Sequence, residues 1–200
     1  MTAKELVLQA TAELFDKRDV SAVDRYWADS YIEHSTQGGT GREALRAIVI
    51  GLPDGTAHEK IRVLSEDDLV VAHGLYHGLG PHPIVGCDVW RVADGLIAEH
   101  WDAHQPAADR NSSGHSMLDG PSEVREPGMT AVSRKLVGDF VELIMMGGDR
   151  SQLPRFFDGD SFIQHNPLIA DGVSGLGGAI QSGVWGAVVE RCHRIIADGE

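Results

Sequence analysis

Cys87-Asp88-Val89-Trp90-Arg91-Val92-Ala93-Asp94-Gly95-Leu96-Ile97-Ala98-Glu99-His100-Trp101-Asp102 is the stretch whose reading decides the fold. Asp-Gly between two β-rich runs is a strong hairpin signal, because both turn positions must adopt positive φ. The pattern predicts strands over 85–93 and 96–105, preceded by two more over 60–65 and 69–79. Towards the N-terminus the period changes. Thr2-Ala3-Lys4-Glu5 forms a capping box, and Leu6, Val7, Ala10 and Leu14 then recur at helical spacing. A short second helix carries Val23, Tyr26 and Trp27, and Thr40-Gly41-Arg42-Glu43 opens a third with Leu45, Ile48 and Val49. Helices first and strands after give an α+β fold, the helices covering one face of a curved antiparallel sheet.

The same helical half recurs. Asp29-Ser30-Tyr31-Ile32-Glu33-His34 aligns with Asp160-Ser161-Phe162-Ile163-Gln164-His165. Upstream, Val23-Asp24-Arg25-Tyr26-Trp27 matches Leu153-Pro154-Arg155-Phe156-Phe157, and downstream Gly41 and Leu45 match Gly172 and Leu176. Arg62-Val63-Leu64-Ser65-Glu66 matches Arg194-Ile195-Ile196-Ala197-Asp198. The expected organisation is a complete domain over 1–106, a linker over 107–129 and a partial second copy over 130–200 holding helices and one strand. A single strand cannot satisfy its own backbone or cover its helices, so the helices of the second copy are expected to pack poorly. Well-buried Phe157, Phe162 and Trp185 would count against that expectation.

Composition narrows the function classes. The 200 residues carry a net charge of −13, which disfavours nucleic acid or an anionic membrane as partner. No apolar run has the length of a membrane span, and the N-terminus lacks a signal-peptide core, so the expected location is cytoplasmic. Cys87 and Cys192 are far apart and read as reduced thiols. No phosphate loop, dinucleotide fingerprint or Ser/His/Asp array is present.

A two-residue turn at Asp94-Gly95 pairs Ala93 with Leu96, Trp90 with Glu99 and Asp88 with Trp101. One sheet face then carries Asp88, Trp90, Val92, Ile97, Glu99 and Trp101, which reads as an apolar pocket wall containing two carboxylates. An acid among indole rings loses hydration, which favours its protonated form and suits it to general base work. Asp88 is the deeper candidate. The plainer alternative is that Asp88 only accepts structural hydrogen bonds. The opposite face carries Cys87, Val89, Arg91, Ala98, His100, Asp102 and His104. Same-side neighbours on a strand stand about 7 Å apart, so His100, Asp102 and His104 are not expected to hold a metal. His73 and His77 lie about 13 Å apart and cannot share a ligand, although His73 sits mid-strand beside the expected pocket. His34 and its counterpart His165 could serve either a loop or a substrate.

Tyr31-Ile32-Glu33-His34, the stretch from Cys87 to Gly95, and Ala98-Glu99-His100-Trp101-Asp102 resemble the signature of SnoaL-like proteins. That family lies within the nuclear transport factor two-like superfamily of cone-shaped α+β barrels. Phe162-Ile163-Gln164-His165-Asn166-Pro167 is similar to the same family's helix exit. The resemblance implies a closed pocket for a small, largely apolar or carbonyl-containing molecule and, as in polyketide cyclases, aldol-type chemistry without cofactor. By that resemblance Asp88 stands where such folds place a pocket acid, with His73 as partner. His34, Trp90, Glu99, Trp101 and Asp102 line the pocket, Asp102 only if a strand bulge turns it inward. Two function classes stay open: a cofactor-independent cyclase, isomerase or lyase, and a non-catalytic ligand-binding or dimerisation module. A homodimer through the exposed sheet face is compatible with either.

Overall fold

The structure is a computed structural model and describes residues 1–35, 39–184 and 189–200. The chain forms two compact units, Met1–Ala107 and Ala108–Glu200.

In the first unit, helix α1 (Ala3–Thr11) starts at the expected capping box, with Glu5 N–H donating to Thr2 Oγ1 and Thr2 N–H donating to Glu5 Oε2. A turn of π-helix (Ala12–Asp16) continues it. Helix α2 (Ala22–Tyr26) leads into strand β1 (Trp27–Glu33), and helix α3 (Arg42–Gly51) follows. Strands β2 (Ala57–Glu66), β3 (Leu69–His77), β4 (Ile84–Ala93) and β5 (Leu96–Pro106) complete the unit. The sheet order is β1-β5-β4-β3-β2.

The expectation of a wholly antiparallel sheet needs one correction. β1 pairs with β5 in parallel, joining Ile32 to Glu99 and Glu33 to His100, so the sheet is mixed. Trp27 ends the second helix in the sequence pattern, but the chain turns extended there: Trp27 has φ −104 and ψ 136. Trp27 and Tyr31 are both buried on one side of β1, where aromatic rings fit a pleated surface better than a helix end.

Leu6, Val7, Ala10 and Leu14 from the first helical segment pack with Val23, Leu45 and Val49 against Val70, Ala72, Trp90 and Ile97 of the sheet. Burying each large apolar side chain there stabilises the unit by roughly 1.5–3 kcal/mol, and this layer fixes which sheet face is inward. Gly74 permits close strand pairing at the β2 bulge, since a Cβ there would stand 2.1 Å from the Glu59 carbonyl oxygen.

The second unit contains helix α4 (Thr130–Phe140), a π-helical turn (Val141–Met146), a 3-10 segment (Arg150–Arg155) and helix α5 (Gly172–Gln181). Its aromatic centre brings Phe157 within 4.9 Å of Phe162 and Phe140 within 5.4 Å of Phe156, measured between ring centroids. Both Phe157 and Phe162 are half-buried, while Val132, Leu136 and Val137 of α4 are exposed. Trp185 lies outside the described residues. The strand expected over 194–198 is irregular chain, a second correction: no described strand of this unit offers it a ladder, and an isolated strand has nowhere to place its hydrogen bonds. Residues 108–129, expected to link two domains, belong to this unit. Asn111 Nδ2 donates to the His165 carbonyl at 3.0 Å, and Ser113 Oγ donates to the Gln164 carbonyl at 2.7 Å. Among the described residues of the chain, no helix is long and apolar enough to cross a membrane.

Candidate functional site

One residue decides what faces the helices. β4 and β5 start in the expected register, with Ala93 opposite Leu96 and Val92 opposite Ile97, but Arg91 then pairs with Glu99. Ala98 is the extra residue of a β-bulge, so every later side chain of β5 changes face. Trp90 therefore pairs with His100, Asp88 with Asp102 and Gly86 with His104, all on the inner face.

Trp90, His100, Asp88, Asp102 and His104 line a cavity of about 440 Å³. Phe15, Trp27, Leu45, Ile48 and Trp90 supply apolar wall, and Tyr31, Glu33, Tyr76, Asp88, His100, Asp102 and His104 form a polar arc. Such an apolar chamber with a few convergent polar groups has the character of a small-molecule site. The expected lining residues Trp90 and Asp102 are present. Glu99 and Trp101 are not: the bulge turns both to the outer face, where Arg91 Nε donates to Glu99 Oε1 at 2.7 Å. His34 is also outside, stacked on Trp101 with ring centroids 4.5 Å apart and its Nε2 2.8 Å from Glu99 Oε2. His73 is corrected in the same way. It pairs with Cys87, whereas Ala72 pairs with Asp88, and strand alternation places His73 on the face opposite the acid.

Asp88 is 2% exposed at the cavity wall. Tyr76 donates its hydroxyl proton to Asp88 Oδ2 at 2.8 Å, and His100 Nε2 lies 3.3 Å from Oδ1. The other nitrogen of His100, Nδ1, is 2.9 Å from Glu33 Oε1. Glu33 also accepts from the Tyr31 hydroxyl at 2.6 Å and from the Ser35 N–H at 3.0 Å. One imidazole thus spans two carboxylates. Burial works against its charge, but the hydrogen bonds and charges of Asp88 and Glu33 prevail and raise the His100 pKa to about 9. Burial likewise opposes ionisation of Glu33, yet the His100 bond leaves its pKa below the ordinary value. The phenols of Tyr31 and Tyr76 are pushed up, first by burial and then by the adjoining carboxylates Glu33 and Asp88, so both remain donors.

Two further imidazoles approach Asp88. His104 Nε2 is 3.9 Å from Oδ1, and His58 Nε2 is 3.9 Å from Oδ2. His58 stacks on Tyr76 at 3.9 Å between centroids, and burial lowers its pKa to about 4, so it is neutral at physiological pH. Gly86 makes room for this arrangement. A Cβ on it would stand 2.5 Å from Tyr76 Cε2 and 2.9 Å from His104 Cδ2. Among the described residues, no group of three or more His, Cys, Asp or Glu side chains could hold a metal ion.

Sequence reasoning missed His100, His104, Tyr76, Tyr31, Glu33 and His58 as members of this site. Tyr31 and Glu33 stand two residues apart and so share a strand face, and Tyr76 shares its parity with Ala72. No sequence signal located the bulge.

Residues 8–100 match the family model of the SnoaL-like domain. No curated protein matches the chain. Among solved structures, the chain is similar to TsrD of Streptomyces laurentii at 18% identity, over 52% of this chain and 88% of that one, with a TM-score of 0.45. It is similar to IdmH of Streptomyces antibioticus, a candidate polyketide cyclase, at 16% identity, over 52% and 93%, with a TM-score of 0.45. It is similar also to an NTF2-like protein of Burkholderia thailandensis at 20% identity, over 52% and 92%, with a TM-score of 0.44.

Proposed function

We propose that the first unit, a SnoaL-like domain, binds a small, largely apolar carbonyl compound and moves a proton at the carbon beside that carbonyl, without a cofactor. Asp88 is the base. Its carboxylate takes the C–H proton, and the electron pair passes to the carbonyl oxygen as an enolate. In an aldol closure the enolate attacks a second carbonyl carbon and the alkoxide so formed takes the proton back from Asp88; in an isomerisation the enolate recovers that proton at another carbon. His100, carrying a proton between Glu33 and Asp88, provides positive charge on the same cavity wall against the developing oxyanion. The observation that carries this reading is a 2%-exposed carboxylate bordering a cavity of about 440 Å³ and bonded there by side chains, Tyr76 and His100.

The test is exchange of α-protons of simple cyclic ketones and dicarbonyls into deuterated water, followed by NMR with wild type and Asp88→Asn. Catalysed exchange by wild type, lost in the variant while binding persists, supports the assignment. Exchange at the wild-type rate in Asp88→Asn removes Asp88 as the base. Binding without exchange in either protein favours the second reading, a non-catalytic binding or dimerisation module. That reading draws on the same network: a carboxylate already engaged by Tyr76 and His100 can serve simply as an internal brace.

The second unit is proposed to be a partial copy of the first. Each unit has a helix running into a π-helical turn. Glu33 N–H donates to Thr40 Oγ1 at 3.1 Å, and its counterpart Gln164 N–H donates to Asp171 Oδ1 at 2.7 Å. The adjoining Gly41 and Gly172 have φ of 86 and 84. A cytoplasmic setting, a homodimer, and the exclusion of nucleic acid and membranes as partners complete the proposal.

A further inference from the structure

The cavity has a charge asymmetry that bears on its ligand. Its lining includes three carboxyl side chains, Glu33, Asp88 and Asp102, and neither Lys nor Arg among the described residues. His100 is the cation of the wall, and it is committed on both ring nitrogens to Glu33 and Asp88. Asp88 in turn is engaged by Tyr76 and His100, and Glu33 by Tyr31, Ser35 and His100.

Asp102 differs. It pairs with Asp88 across the strands and lines the same cavity, but its carboxylate makes no hydrogen bond among the described residues. Its neighbour His104 Nδ1 is 3.7 Å from Oδ2, beyond hydrogen-bond reach, and the Asp102 side chain is 18% exposed. A carboxylate taken largely out of water with its acceptor sites unfilled favours any ligand that brings a donor, and disfavours one that brings a second negative charge.

We infer that the cavity selects a non-anionic apolar molecule bearing a hydrogen-bond donor, which docks on Asp102, with an ammonium group preferred to a hydroxyl and a carboxylate rejected. This rests on the pocket reading above and deepens it. The ring system occupies the wall of Phe15, Trp27, Ile48 and Trp90, and the donor points to the Asp102 end of the polar arc. A carbonyl substrate is then a form of its skeleton that carries an amine, a hydroxyl or an amide N–H rather than the free acid.

The experiment compares three probes of one size by calorimetric titration of the full chain: naphthylmethylammonium, naphthylmethanol and naphthoate. Wild type is expected to bind the ammonium at least about tenfold more tightly than naphthoate, a difference of about 1.4 kcal/mol, with the alcohol between them. Asp102→Asn is expected to remove the ammonium's advantage over the alcohol. Naphthoate binding as tightly as the ammonium overturns the inference and leaves the pocket reading standing. An unchanged ranking in Asp102→Asn overturns the role of Asp102. Failure of all three probes to bind wild type overturns the pocket reading and the inference with it. Should Asp102→Asn fail to fold, the wild-type ranking decides the charge argument by itself.

Discussion

The wild type should lose stability as pH rises through the alkaline range, and replacing His100 with Gln should abolish that decline. Burial alone would lower the affinity of this imidazole for its proton, but the bonds to Asp88 and Glu33 raise its pKa from 6.5 to about 9. Between those two values the folded state holds a proton that the unfolded chain has released. The stabilisation is therefore complete below about pH 6.5 and is lost as pH climbs through about 9. At roughly 1.4 kcal/mol for each tenfold change in proton affinity, the loss across that window is of the order of 3 kcal/mol. His100→Gln keeps a hydrogen-bond donor but no charge. It leaves Glu33 and Asp88 without their shared cation, so it should be less stable than wild type near neutrality by about 3–5 kcal/mol. Its stability should then be nearly flat where wild type falls. Urea unfolding followed by tryptophan fluorescence checks this, since Trp27, Trp90 and Trp101 all belong to the first unit. The difference between the two proteins isolates the His100 contribution from every other titrating group. A variant with the wild-type alkaline slope refutes the reasoning, and so does a wild type that stays flat through the window if the variant proves too unstable to measure.

On the acid side His58 acts in the opposite sense. Its folded pKa is lowered to about 4 by burial, so its contribution is present above about pH 6.5 and is lost as pH falls towards 4, and His58→Phe should make that limb shallower in the same unfolding titration. Tyr76→Phe removes the 2.8 Å bond to Asp88 and should cost about 1–3 kcal/mol in the urea midpoint analysis, an unaltered midpoint arguing that Asp88 needs no donor there. Gly86→Ala places a methyl group 2.5 Å from the Tyr76 ring and should destabilise by about 1–3 kcal/mol, with tighter ligand binding than wild type as the outcome that contradicts a displaced ring. His73→Ala, on the sheet face away from Asp88, should leave ligand affinity and any α-proton exchange at wild-type levels, and a clear loss of either would return His73 to the site.

The helical half of the first unit was legible in the sequence because its signals are local. Thr2 and Glu5 state the start of α1, and Leu6, Val7, Ala10 and Leu14 state its buried face. The Asp94-Gly95 turn likewise announces its hairpin, and Asp94 does adopt a positive φ of 52. β1 was hidden for a non-local reason. Its parallel partner β5 lies more than sixty residues later, and Trp27-Ala28-Asp29-Ser30 has no strict alternation of its own. The irregular chain at 194–198 shows the converse. Its likeness to 62–66 is real in sequence, but strand formation depends on a neighbour to pair with, and the described part of the second unit provides none.

The bulge at Ala98 is the point on which the site turns. Strand parity has a period of two, so an extra residue exchanges the two faces for everything beyond it while leaving the turn unchanged. Read without the bulge, Glu99 and Trp101 enter the pocket, and the acid Asp88 has no imidazole on β5 to meet. With it, His100 reaches Asp88 and Glu33 together, Asp102 opens onto the cavity, and Glu99 becomes a surface partner of Arg91 and His34. Ala98 suits the position because it is 8% exposed and small, so the doubled chain can be tucked against the core without expelling a larger neighbour. Deleting Ala98 should restore a regular ladder that keeps the native pairs, with Glu99 opposite Arg91 and His100 opposite Trp90. His100 then stays on the inner face between Asp88 and Glu33, and only the local twist of the bulge is lost. The deletion variant should therefore keep the alkaline decline in stability assigned to His100. A folded deletion variant whose stability is flat while His100 should titrate would mean that this register is not what holds His100 at the inner face.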